Sequence, residues 1–187
     1  MPNAKSMTGS RSFEAKRVTV QDHLVVAQHN AVFDVLGATR TGMLGLTGGG
    51  DGFQPLTHFP DADLGSIWFI SSTGTELVQS LGMGEDADYV LISDEDSIYA
   101  SLRGKLYHIQ DDAKLDELWS PVVGAWFEGG RDDPQVALLR FDPEVADVWA
   151  SAKSSLEFGL QVSTGSSDQK HRPDVGSKTT IRFSAAA

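Results

Sequence analysis

The sequence predicts a mainly β fold of the α+β kind, a small antiparallel barrel with a few peripheral helices. Three observations point there. Apolar runs of strand length recur along the chain, the turn formers between them are short enough for hairpins, and a glycine interrupts the longest run where a curving strand needs a bend.

Taken in order, residues 21–36 carry Leu24, Ala27, Ala31 and Val35 on one helical stripe, with Gly37 placed to end the helix. Strands are predicted over 41–46 and 54–59, flanking Gly48-Gly49-Gly50-Asp51-Gly52, a hairpin loop too symmetric in glycine to open a phosphate-binding helix. Ser66 to Ile70 is an apolar strand that runs through a hydroxyl-rich loop into a short helix carrying Leu77, Val78 and Leu81. Thr73 and Glu76 fit a capping box at that helix. Strands over 89–93 and 98–109 form an antiparallel pair joined by Asp94-Glu95-Asp96, the second bent or bulged at Gly104. A helix over 113–119, capped by Asp111 or Asp112, leads through Pro121 to the 122–127 segment. A strand over 136–141 and a short element over 144–149 follow. Thr179 to Phe183 has the pattern of one more short strand.

The chain has 187 residues, enough to bury roughly 70% of the surface its unfolded form exposes without disulfides or a structural metal. Residues 1–18 read as a polar arm and 164–187 as a tail with that short strand, leaving 19–163 as the domain. Cysteine is absent, which excludes a disulfide scaffold, a zinc ribbon, a thiol nucleophile and an iron–sulfur cluster. A net charge of −11 opposes the electrostatic term that dominates nucleic-acid affinity, so no nucleic-acid partner is expected. No apolar run reaches the ~18 residues a bilayer span needs, and no secretory signal opens the sequence; a cytoplasmic protein without membrane attachment is the expectation.

The commonest cofactor loops are missing: no Gly-x-Gly-x-x-Gly, no Gly-x-x-x-x-Gly-Lys-Ser/Thr, no His-Glu-x-x-His and no Gly-x-Ser-x-Gly. The five histidines are scattered, and the acidic clusters lack the ligand spacing of a calcium loop, so no metal site is expected. No residue stands out as an acid, base or nucleophile.

One segment has a mechanism. Between Ser71 and Thr75 four hydroxyls stand beside the first turn of a helix, where free amides and the helix dipole attract an anion such as phosphate. The competing reading is that Ser72 and Thr73 only cap the helix. Further on, Trp119, Trp126 and Phe127 crowd beside Gly129-Gly130 and Asp132-Asp133-Pro134, a composition suited to stacking a planar ring or to packing against the barrel.

Leu118-Trp119-Ser120-Pro121, Ala125-Trp126-Phe127, Gly129-Gly130, Asp132-Asp133-Pro134, Leu138-Leu139-Arg140, Pro143 and Ala146-Asp147-Val148-Trp149 resemble the general stress protein branch of the pyridoxamine 5'-phosphate oxidase-like FMN-binding split barrels. The likeness extends over residues 24–163, through Met43-Leu44, Gln54-Pro55-Leu56, Ile67 to Ser71 and the 101–109 strand with Gly104. It implies a six-stranded split barrel, a homodimer and FMN at the subunit interface. It also implies a flavin-dependent oxidoreductase in which the flavin performs the electron transfer.

Carried over by position, the resemblance places Ser71, Ser72 and Thr75 at the phosphate, with Phe69, Ile70 and Leu77 on the same strand and helix. Gln54 and Leu56 fall beside the ring, and Trp126 with Phe127 come from the partner chain. The sequence departs from the family pattern at two positions, Gln54 standing where members often carry Arg and Leu77 where they carry Lys. Each absent charge-assisted contact is worth about 1.5–3 kcal/mol. Arg40, Arg103 and Lys105 are the candidates to replace them, or are ordinary exposed cations. The alternative is a cofactor-free, dimeric stress-associated protein; a deazaflavin or haem in place of FMN is a third reading. Oxidation of pyridoxamine phosphate itself is not expected, because a second phosphate needs further cations.

Overall fold

The computed structural model describes residues 20–49, 52–93, 97–150 and 177–183. The arm over 1–18, the Asp94–Asp96 connection and most of the tail lie outside the described residues.

The elements are α1 (Val20–Ala38), β1 (Thr41–Leu46), β2 (Gln54–Asp61), β3 (Ser66–Ser72), α2 (Glu76–Gln79), β4 (Glu85–Ser93), β5 (Ile98–Ile109), α3 (Asp112–Leu118), α4 (Pro121–Gly124), β6 (Val136–Ala150) and β7 (Ser177–Arg182). A single 3₁₀ turn, Gly130–Asp132, precedes β6. The strands run antiparallel in the order β3-β2-β1-β4-β5-β6-β7, and β3 also pairs with β6. That extra pairing closes β1 to β6 into a six-stranded barrel, as the resemblance implied.

β6 makes the closure possible by its length. Along one side it follows β5 throughout; on the other, Val136 to Phe141 pair with β3, and Val145 to Ala150 pair with β7. The change of partner coincides with a register shift at Arg103/Gly104, where Gly104 faces Pro143 and Arg103 faces Val145. A Cβ on Gly104 would stand 2.1 Å from the Asp142 carbonyl oxygen, so only glycine lets the two backbones approach there. The expected bend is therefore a bulge. The separate element expected over 144–149 is the second half of β6, because proline is tolerated at a bulge, where its missing N–H costs no ladder bond.

Alternate residues fill the barrel: Leu44, Ile67, Phe69, Tyr89, Leu91, Leu102, Leu106, Leu139 and Phe141 are each at most 1% exposed. α1 covers one end through Val32, Phe33, Val35 and Leu36. Of the expected stripe, Val35 is in the core and Ala31 packs against it, whereas Ala27 is exposed and the side chain of Leu24 lies outside the described residues. Phe33 packs with His29 and Phe183, tying α1 to the end of β7.

A second layer lies outside. Leu115 of α3, with Leu118 and Trp119, packs on Trp68 and Leu138 from the outer faces of β3 and β6. Asp111 caps α3 by accepting from the Lys114 amide at 2.9 Å. The Lys114 ammonium meets Asp61 of β2 at 2.9 Å and sits over the Trp68 ring. Arg131 bridges Asp112, Asp116 and Asp132, fastening the loop before β6 to α3.

No helix among the described residues is long and apolar enough to cross a membrane.

Candidate functional site

A cleft of about 830 Å³ opens on the outer face of β2 and β3, between the end of α1 and the α3–α4 segment. β2 and β3 supply its floor, including Leu56, Ile70, Ser71 and Ser72; Val122, Trp126 and Phe127 supply one wall. Gly37, Thr39 and Arg40 supply the other.

The loop after β3 is held by its own hydroxyls. Thr75 is the N-cap of α2, its hydroxyl accepting from the Val78 amide at 3.3 Å while donating to the Ser72 carbonyl at 2.9 Å. Thr73 was the expected cap; instead its amide is committed to the Gln135 carbonyl across the loop, at 2.8 Å. The Ser72 hydroxyl accepts from the Gly74 amide at 3.2 Å. Ser71 differs from these: it is 6% exposed, lines the cleft, and its hydroxyl makes no hydrogen bond among the described residues. Its oxygen is not sealed from solvent, so it is open to donate to an acceptor atom of a ligand in the cleft.

Of the ten positions the resemblance assigned to a cofactor, Leu56, Ile70, Ser71, Ser72, Trp126 and Phe127 meet at this cleft. Gln54 is half-buried at the start of β2 and Thr75 serves as the cap, both off the cleft lining. Phe69 and Leu77 point inward and belong to the main core, at 0% and 3% exposure. Trp126 and Phe127 were expected from a partner chain. Within one chain its own pair also borders the cleft, where Ser120 caps α4; a partner's contribution is not addressed by a single chain.

Trp126 is 84% exposed on the rim, whereas Phe127 packs against Trp119 with ring centroids 5.9 Å apart. The aromatic cluster therefore serves both readings, with Trp119 in the outer layer and Trp126 facing the opening.

Sequence reasoning passed over His58. It lies on β2, is buried, and borders the cleft from beneath. Its Nε2 approaches the Leu36 carbonyl at 2.8 Å, and its Nδ1 approaches the Tyr89 hydroxyl at 2.5 Å. A carbonyl only accepts, so Nε2 carries the hydrogen and Nδ1 receives the phenol's. Burial pulls the imidazole below its ordinary pKa and pushes the Tyr89 phenol well above its own, so both are neutral. The alternation of half-buried Leu56 and buried His58 with exposed Pro55 and Thr57 is the signal that marks His58 as inward-facing.

Among the described residues no cluster of three or more His, Asp or Glu side chains is arranged to hold a metal ion.

A closed six-stranded antiparallel barrel with a cleft on its outer face defines the split-barrel class. The family model described as pyridoxamine 5'-phosphate oxidase like matches residues 27–174, and the chain belongs to that family. Among solved structures, a protein named general stress protein 26 from Jannaschia sp. CCS1 is 34% identical, with 82% of this chain and 97% of that chain covered and a TM-score of 0.67. A general stress FMN/FAD binding protein from Xanthomonas citri is 38% identical over 66% of this chain and 88% of its own, with a TM-score of 0.60. A general stress family protein from Xanthomonas campestris pv. campestris is 39% identical over 68% and 88%, also with a TM-score of 0.60. A search of curated proteins gave no match.

Proposed function

We propose that the protein binds FMN in the cleft between α1 and α4 and acts as a flavin-dependent oxidoreductase of the general stress protein type. The observation that carries this reading is the Ser71 hydroxyl, whose residue lines the cleft and which makes no hydrogen bond among the described residues. The residues fit such a ligand in other respects. The cleft is within the size range of cofactor pockets. Leu56 and Ile70 of its floor and the wall of Val122, Trp126 and Phe127 are apolar, and Trp126 offers an indole face on the rim. The Xanthomonas citri relative carries flavin binding in its name.

Ser71 and Ser72 would hold the phosphate, with Leu56 and Ile70 beneath the ring and Trp126 and Phe127 against it. Bound there, the flavin supplies the electron transfer. The chain's own contribution would be to orient the ring and to keep water from the face it covers. A second copy belongs to the same proposal. Ile92, Tyr99 and Trp149 stand in one cross-strand row on β4, β5 and β6, at 53%, 49% and 42% exposure, an apolar surface that association would cover.

The test is direct. Protein as isolated, or after incubation with FMN and desalting, should show flavin absorbance, and titration into FMN should quench its fluorescence. No absorbance and no quenching would reject the reading. The second reading, a barrel without cofactor, draws on Gln54 and Leu77: neither is a cation and Leu77 is inside the core. Submicromolar FMN binding would dismiss it.

A further inference from the structure

The chain is strongly acidic, with 26 Asp and Glu against 15 Lys and Arg, yet among the described residues none lining the cleft is a carboxylate. The described lining holds a single formal cation, Arg40, between α1 and β1.

The other described cations are engaged, except Arg182 at the end of β7, which does not border the cleft. Arg103 pairs with Asp147, Lys105 with Asp86, Lys114 with Asp61 and Glu117, Arg140 with Asp142 and Lys178 with Asp147, while Arg131 holds three aspartates. Arg103 and Lys105, the alternative stand-ins for a phosphate-binding charge, are thereby removed: each already faces an acid, and neither borders the cleft. Arg40 makes no ion pair or side-chain hydrogen bond among the described residues.

Carbonyls near it are in part already used: the Thr39 amide and hydroxyl donate to those of Val35 and Leu36, and His58 Nε2 donates to that of Leu36. The Arg40 carbonyl accepts from the His58 amide at 3.1 Å, which fixes the backbone and leaves the guanidinium free. A guanidinium presents a rigid fork of donors matched to paired oxygens of phosphate or carboxylate.

We propose that Arg40 is the charge-recognition residue of the cleft, supplying to an anionic ligand the positive charge that Gln54 and Leu77 do not. The proposal rests on the reading of the cleft as a ligand site, and under the flavin assignment it specifies which end of the ligand Arg40 reads: the phosphate. The cleft then distinguishes FMN from riboflavin, which has the same ring and no charge. In a cleft without carboxylates, one cation suffices to set the sign of the ligand. Removing a charge-assisted bond of this kind lowers affinity by about 10- to 100-fold.

The test compares the unaltered full chain with Arg40→Gln and Arg40→Lys, titrating FMN and riboflavin by fluorescence quenching. Thermal shifts with inorganic pyrophosphate provide a flavin-independent readout. The expected result is that the unaltered protein prefers FMN to riboflavin by at least ~10-fold. Arg40→Gln should lose that preference through weaker FMN binding alone, and Arg40→Lys should recover part of it. Pyrophosphate should raise the melting temperature of the unaltered protein more than that of Arg40→Gln. FMN binding that is equally tight in Arg40→Gln overturns the role of Arg40 and leaves the flavin reading standing. If no flavin binds but pyrophosphate stabilises in an Arg40-dependent way, the flavin reading falls and the charge recognition stands. Stabilisation by neither ligand overturns both.

Discussion

His58 Nδ1 accepts the Tyr89 hydroxyl at 2.5 Å, and the opposite ring nitrogen of the same histidine donates to the Leu36 carbonyl, so one imidazole links the barrel interior to the last turn of α1. Tyr89 is fully buried and cannot turn to water. Tyr89→Phe removes the donor and leaves Nδ1 without a partner, at a cost of about 1–3 kcal/mol. Urea denaturation should show this as a lower midpoint with an unchanged slope.

The same histidine gives the fold a pH dependence whose sign is set by burial. Its folded pKa lies below the 6.5 of a free imidazole. Below 6.5 the unfolded chain takes up a proton that the folded chain refuses, so stability is full above that pH and falls as the pH drops from 6.5 through the folded pKa. In a denaturation series between pH 7.5 and 5, the advantage of the unaltered protein over His58→Gln should shrink toward the acid end. An advantage that grows with acidity would contradict the neutral, Nε2-protonated ring.

Gly42 and Gly104 are predicted to resist any side chain. A Cβ on Gly42 would lie 2.2 Å from the Tyr89 hydroxyl and 2.7 Å from the Val90 carbonyl; on Gly104 it would meet the backbone of Asp142 and Pro143. Alanine at either position should destabilise by about 2–4 kcal/mol, more than the ~1 kcal/mol typical of point substitutions. Thermal melts of both variants beside Gly37→Ala, where the added methyl meets nothing, provide the comparison.

Ser71→Ala and Trp126→Ala should separate binding from folding. Among the described residues the Ser71 side chain has no hydrogen bond to lose, and Trp126 is mostly exposed, so each substitution should change stability by less than ~1 kcal/mol. FMN affinity should fall several-fold in both, read by fluorescence titration.

Restoring the family's lysine by Leu77→Lys is expected to damage the barrel. Leu77 is 3% exposed within the main core, and replacing it removes apolar packing while placing an ammonium against it. A loss of about 3 kcal/mol or more is expected, visible as a lowered melting temperature before any flavin is added. Gln54, half-buried at a strand end, tolerates arginine better, and Gln54→Arg is the cleaner route to added positive charge.

Local signals were legible in the chain and distant ones were not. Thr41–Leu46 and Ile98–Ile109 emerge with their expected bounds, because turn formers end each run where the alternation stops. β6 was read as two elements because a proline usually ends a ladder, and nothing local shows that Gly104 accommodates it across the pair. Thr73 was assigned the cap by its spacing to Glu76, but Gln135, far along the sequence, takes its amide. The hydroxyl loop was visible because its residues are contiguous. The cleft was not: Arg40, His58, Ser71 and Val122 come from separate segments and meet only after β3 closes on β6.

β7 lies beside the second half of β6 and passes Phe183 to the His29–Phe33 stack on α1, joining the far end of the described chain to its first helix. Shortening the protein to residues ahead of 177 would bare six ladder positions of β6 and unseat α1 from one of its supports. Such a truncated form would present a sticky, unpaired margin and self-associate edge to edge.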